Sequence, residues 1–124
     1  MKYLCLVYVD EKILGSMTAA EHLAMDDEAL AYDETLRKSG YFVTANALEP
    51  VSTATSIRLR GRKVSITDGP FVDTFEKLGG FVLIDAKDLD EAIQVASKIP
   101  PGRMGGIEVR PVKELTESCK RTDI

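Results

Sequence analysis

One histidine and a few carboxylates are the side chains of this chain best suited to moving protons. Asp68 stands in Thr67-Asp68-Gly69-Pro70-Phe71, where Gly-Pro ends a β run and holds the carboxylate on a constrained turn. At the rim of a cavity between helix and sheet it would act as a general base or a ligand anchor. Gly69 and Pro70 would shape that rim, and Phe71 and Phe75 would give the cavity apolar wall. The alternative is a pure turn-former that bonds its own backbone. His22 is the only histidine. At about 100° per residue, His22, Asp26 and Asp33 fall within about 40° of one another on a helix. They border an apolar stripe, Met25, Ala29, Tyr32 and Leu36, which should face a sheet. A carboxylate near the imidazole favours its charged form and can set its tautomer. The alternative is a solvated histidine in an i,i+4 pair with Asp26. Arg110 lies two residues from Glu108, hence on the same strand face. It either pairs with Glu108 or binds an anion inside a barrel.

Composition narrows the field. The chain has 124 residues, enough for one domain, with 44% hydrophobic and 29% charged residues. A net charge of −4 argues against nucleic acid as the main partner. Arg58, Arg60, Arg62 and Lys63 are interrupted by aliphatic residues and lack stacking aromatics, so they read as a solvated hairpin face. The apolar opening, Met1–Val9, is cut off by Asp10-Glu11-Lys12 and is too short for a signal peptide or a membrane span. Cys5 in an apolar run and Cys119 in a polar tail have nothing to pair them, which suits a reducing cytoplasm. No His/Cys cluster has metal spacing and no cofactor is expected.

The elements that must position these groups follow from periodicity. Residues 2–9 and 80–86 are apolar on both alternations, as in central strands. Thr18-Ala19-Ala20-Glu21 is a capping box that predicts a helix from about residue 19 to Lys38, stopped by Ser39-Gly40. Tyr41–Leu48 reads as a strand. Thr55–Arg60 and Lys63–Thr67 read as a hairpin turning at Gly61-Arg62. Leu89–Ile99 is a helix capped by Asp88 and stopped by Pro100-Pro101, and Gly105–Val112 is the last strand. One domain over residues 1–115 and a polar tail over 116–124 result.

Without the hairpin, the β-α-β, β-α-β order is an α+β fold, a ferredoxin-like split βαβ with an antiparallel sheet. Right-handed crossovers put both helices on one sheet face, which leaves the other apolar face bare. A second copy of the chain is the cheapest cover, so a homodimer with its sheets face to face is expected. The alternative cover is the hairpin folded back over its own sheet.

Four motifs in order carry a family resemblance: Thr67-Asp68-Gly69-Pro70-Phe71, Leu78-Gly79-Gly80-Phe81, Asp88-Leu89-Asp90-Glu91-Ala92 and Ile107-Glu108-Val109-Arg110-Pro111-Val112, with Met1-Lys2-Tyr3-Leu4 at the start. Over roughly residues 1–113 the chain resembles the YCII-related, or DGPF-domain, family. The resemblance implies a dimeric α+β barrel, and it makes His22 with Asp33 similar to a proposed His/Asp pair of YCII-type relatives. It implies no settled reaction: most members are bacterial proteins of unknown function. Fold does not fix chemistry. Three readings stand: a cofactor-independent acid/base enzyme on a small molecule, a non-catalytic ligand-binding or regulatory module, and a dimeric interaction protein without ligand.

Overall fold

A computed structural model describes residues 1–116 of the chain. Most of the expected polar tail, Cys119 included, lies outside the described residues. Strand β1 (Lys2–Asp10) runs through the centre of the sheet. Tyr3, Cys5, Val7 and Val9 are buried on one face, and Leu4, Leu6 and Tyr8 are half-buried on the other. Asp10 ends the strand and caps a six-residue helix, α1 (Glu11–Ser16), accepting the Lys12 N–H at 2.9 Å. This helix is not legible in the sequence. It is too short to show a periodic stripe, and it contains Gly15, a poor helix former.

The long helix α2 (Ala19–Lys38) starts where the capping box predicts. Thr18 Oγ1 accepts from the Glu21 N–H at 3.2 Å, and Glu21 Oε1 accepts from the Thr18 N–H at 2.9 Å. It stops at Gly40, whose φ of 83° lets the Tyr41 N–H reach back to the Leu36 carbonyl at 2.9 Å. Strand β2 (Phe42–Ala47) follows, then the hairpin β3 (Thr55–Arg60) and β4 (Lys63–Asp68), then β5 (Glu76–Asp85). Helix α3 (Leu89–Ala96) is capped by Asp88. It ends three residues earlier than Ile99. The Lys98 and Ile99 N–H groups shift to the carbonyls three residues back, Val95 and Ala96, Pro100 has no N–H to continue the helix, and residues Pro100–Met104 form a 3-10 turn instead. Strand β6 (Gly105–Pro111) completes the described chain.

The sheet order is β2-β5-β1-β6, and every neighbouring pair is antiparallel. This is the expected α+β, ferredoxin-like arrangement. Leu36 of α2 and Ala92, Val95 and Ala96 of α3 join Tyr3, Cys5, Val7, Val82 and Ile84 in one core, so both helices cover the same face. The Tyr32 hydroxyl donates to the Val95 carbonyl at 2.6 Å and ties the two helices together. Burial pushes the Cys5 thiol up to about 11 and keeps it unreactive.

The β1–β5 register slips between Val7 and Tyr8, which leaves Gly79 as a bulge. At Gly80 a Cβ would sit 2.8 Å from the Asn46 carbonyl oxygen. The strand that needs Gly80 to be bare is thus the chain's own β2, not a partner's. The hairpin does not fold back over the sheet. It forms a separate two-stranded sheet that pairs only with itself. The face with Leu4, Leu6, Tyr8, Phe81 and Leu83 therefore has no covering layer among the described residues.

Candidate functional site

Helix α2 buries only Leu36, near its C-terminal end, and its N-terminal half leaves space above the sheet. That space is a cavity of about 540 Å³. Val7, Val9 and Val82 form its floor, with the bulged glycine pair Gly79 and Gly80 beside them. Ala45 to Leu48 of the β2 edge form one side, and Pro100, Pro101 and Met104 close one end. The cavity exists because small residues meet there. Ala29 on the helix faces Ala45, Ala47 and the two glycines, where larger side chains would pack to normal core density.

The helical wall carries the polar groups. His22, Asp26 and Asp33 all line the cavity, alongside Met25, Ala29 and Leu30. His22 and Asp33 are half-buried, and Asp26 is exposed. Burial pushes the Asp33 carboxyl up from its ordinary value, and the nearby Arg37 guanidinium opposes the shift. No lysine or arginine lines the cavity. His22 and Asp33 share the wall but cannot share a proton: eleven residues of continuous helix set them roughly 16 Å apart along the axis. Asp26 is one turn from His22, yet no ion pair joins them among the described residues.

The other sequence-predicted residues lie elsewhere. Asp68 ends β4 on the hairpin, exposed, and does not line the cavity. Gly69 has a φ of 107°, its N–H donates to the Ala54 carbonyl at 2.8 Å, and its own carbonyl accepts from the Ser56 hydroxyl at 2.7 Å. The turn is thus as constrained as the sequence implies, but it closes the base of the hairpin rather than a pocket. Pro70, Phe71 and Phe75 are exposed, and the Arg58 guanidinium lies 4.2 Å from the Phe71 ring centroid. Phe75 borders a shallow depression with Asp10, Lys12, Asp73 and Lys77. Arg110 pairs with Glu108, its Nε donating at 2.9 Å, opposite Leu4 on the bare face of the sheet. Asn46, Leu30 and the Pro100-Pro101 corner were not foreseen as cavity walls. The signal that could have found the cavity is the run of small residues, Ala29, Ala45, Ala47, Gly79 and Gly80, at core-facing positions.

The turn yields a direct expectation. Gly69→Val forces a β-branched residue into positive φ and should cost about 1–3 kcal/mol. Asp68→Asn keeps the side-chain acceptor and should stay within about 0.5 kcal/mol of wild type. Thermal melts of the two variants check this; equal melting temperatures would contradict the turn assignment.

A ferredoxin-like sheet with an added hairpin and a cavity under its long helix defines a class of small α+β proteins. The YCII-related domain matches residues 1–116, and the chain belongs to that family. It is 31% identical over 114 residues to an uncharacterized protein of Rhizobium meliloti (strain 1021), a match covering 90% of this chain and 92% of that one. Among the described residues no group of three or more His, Cys, Asp or Glu side chains is arranged to hold a metal, and no helix is long and apolar enough to cross a membrane.

Proposed function

We propose that the cavity under α2 takes a small organic molecule with an apolar body and a head that donates hydrogen bonds or carries positive charge. One observation carries this reading: an apolar floor faces a polar wall of Asp26, Asp33 and His22, with no lysine or arginine among the lining residues. The volume, about 540 Å³, suits such a ligand, since small-molecule sites run from roughly 300 to 1,000 Å³. An alkyl or aryl amine satisfies both surfaces. A protein that only engages other proteins has no use for this space, and the ligand-free reading is correspondingly weaker. Acid/base chemistry is the second reading, and the half-buried Asp33 with its raised pKa supports it. Asp68 and Arg110 have no part in either reading, because neither reaches the cavity. We further propose a cytoplasmic homodimer. The uncovered apolar sheet face supports the dimer, and the buried free thiol of Cys5 suits a reducing compartment.

A thermal-shift screen of alkyl and aryl amines against matched carboxylates tests the ligand class. Amines should raise the melting temperature of wild type. They should leave Ala29→Leu unmoved, because its isobutyl group occupies the cavity while the protein stays folded. Better binding by the carboxylates, or equal binding by Ala29→Leu, would refute the assignment.

A further inference from the structure

We propose that the β3–β4 hairpin is an assembly arm, and that a second copy of this chain covers its apolar face. The inference rests on the homodimer reading above and adds to it a second contact surface. Ile57 pairs with Ile66 and Leu59 with Val64 across the hairpin, so all four side chains lie on one face. They are 56%, 70%, 67% and 59% exposed, respectively. That is an apolar patch of a few hundred Å², the size at which a monomer's surface calls for a partner. A two-stranded hairpin is only marginally stable on its own, and among the described residues this one pairs with no other strand. Its two strands are joined at the base by the Gly69 N–H to Ala54 and Ser56 hydroxyl to Gly69 bonds, so the hairpin is closed along its whole length.

Two observations point to a copy of the same chain as the occupant. The first is area. The bare face spans four strands averaging about eight residues, roughly 500 Å² in plan, and its edges carry Thr44, Glu108 and Arg110, so its apolar part falls well short of the ~800 Å² that each partner buries in a standard interface. The arm supplies a second apolar surface on the same molecule, and both surfaces can be buried in one isologous contact. The second is charge. The arm from Thr55 to Asp68 carries four cations, Arg58, Arg60, Arg62 and Lys63, and one acid, Asp68, a net +3, while the whole chain is at −4; the remainder is therefore at −7. Two such bodies repel each other, and a +3 arm laid against the partner's acidic body offsets that repulsion.

Sedimentation velocity at about micromolar concentration reads the outcome. Wild type should be a dimer. Ile57→Ser combined with Ile66→Ser should weaken dimerisation by about tenfold or more, with the circular dichroism of the four-stranded domain retained. Arg60→Glu with Lys63→Glu, at the exposed arm tip, should weaken it too, and the wild-type dimer should weaken as salt is raised. A photocrosslinking residue at position 59 should join two chains. An unchanged dimer in both double variants, with crosslinks only within one chain, would overturn the arm while leaving the dimer intact. A monomeric wild type would overturn both. Wild type that stays monomeric and binds anionic lipid vesicles would assign the patch to a membrane surface and likewise overturn the proposal.

Discussion

Val82→Asp is expected to leave the chain unfolded, whereas Leu6→Asp is expected to leave it folded and monomeric. Val82 is 6% exposed, pairs with Cys5 and Ala45, and points into the core shared by both helices. No charged or polar side chain is buried there, so a carboxylate would have no partner. It would be ionised at a cost of several kcal/mol or neutralised at a similar one. The lost valine packing adds to that, and the total approaches the ~5–15 kcal/mol stability of a whole domain. Leu6 sits one residue out of phase, on the face that no element of the chain covers. In the monomer its carboxylate would reach water; in a dimer joined through that face it would be buried. Circular dichroism melts and sedimentation of the two variants separate these effects. A wild-type-like melt for Val82→Asp would mean that β5 is misplaced, and a dimeric Leu6→Asp would remove this face from the interface.

The contrast between these two residues also marks what the sequence conveys and what it hides. Two-sided hydrophobicity at residues 2–9 identified β1 as central, and the Thr18/Glu21 capping box located the start of α2 to the residue, because both signals are local and physically redundant. Burial alternation alone could not tell which face of β1 meets the helices. The hairpin's strands and its Gly61 turn, with a φ of 60°, were legible from period-two alternation. Its posture, clear of the sheet, was not, because alternation fixes pairing and says nothing of tertiary docking. The same gap explains the site. The Asp68-Gly69-Pro70 turn is constrained as its residues imply, yet it closes a hairpin base and not a cavity rim. His22, Asp26 and Asp33 share a helix face by arithmetic, and in the structure that face forms the cavity wall. Carried along the axis as well as around it, it also separates His22 from Asp33 by three turns of helix.

Asp33→Asn is expected to raise the melting temperature at neutral pH, and to lower turnover by about 10²–10⁴-fold on any substrate whose proton the cavity moves. Both effects have one cause. Burial against the cavity wall disfavours the carboxylate, and the Arg37 guanidinium only partly offsets it, so the folded-state pKa lies above the ordinary value of 3.8. The folded state therefore holds this proton more tightly than the unfolded state does. Stability contributed by the group is fully present below pH 3.8 and is lost as pH rises through the folded pKa. At pH 7 wild type carries an ionised, half-desolvated carboxylate, and the amide removes that penalty. Near pH 3 the two proteins should melt together. The gain should thus appear between those limits, and a gain that persists at pH 3 would trace to packing rather than to charge. The same raised pKa brings Asp33 closer to working pH, where a general acid or base is most effective. His22→Gln alters a wall group three turns away, and Asp68→Asn alters a hairpin turn outside the cavity, so neither should match the loss in Asp33→Asn. Turnover that survives Asp33→Asn but falls in His22→Gln would move the chemistry to the N-terminal end of α2. Ligand binding with no turnover in wild type would leave the same carboxylate as the anchor for a cationic head.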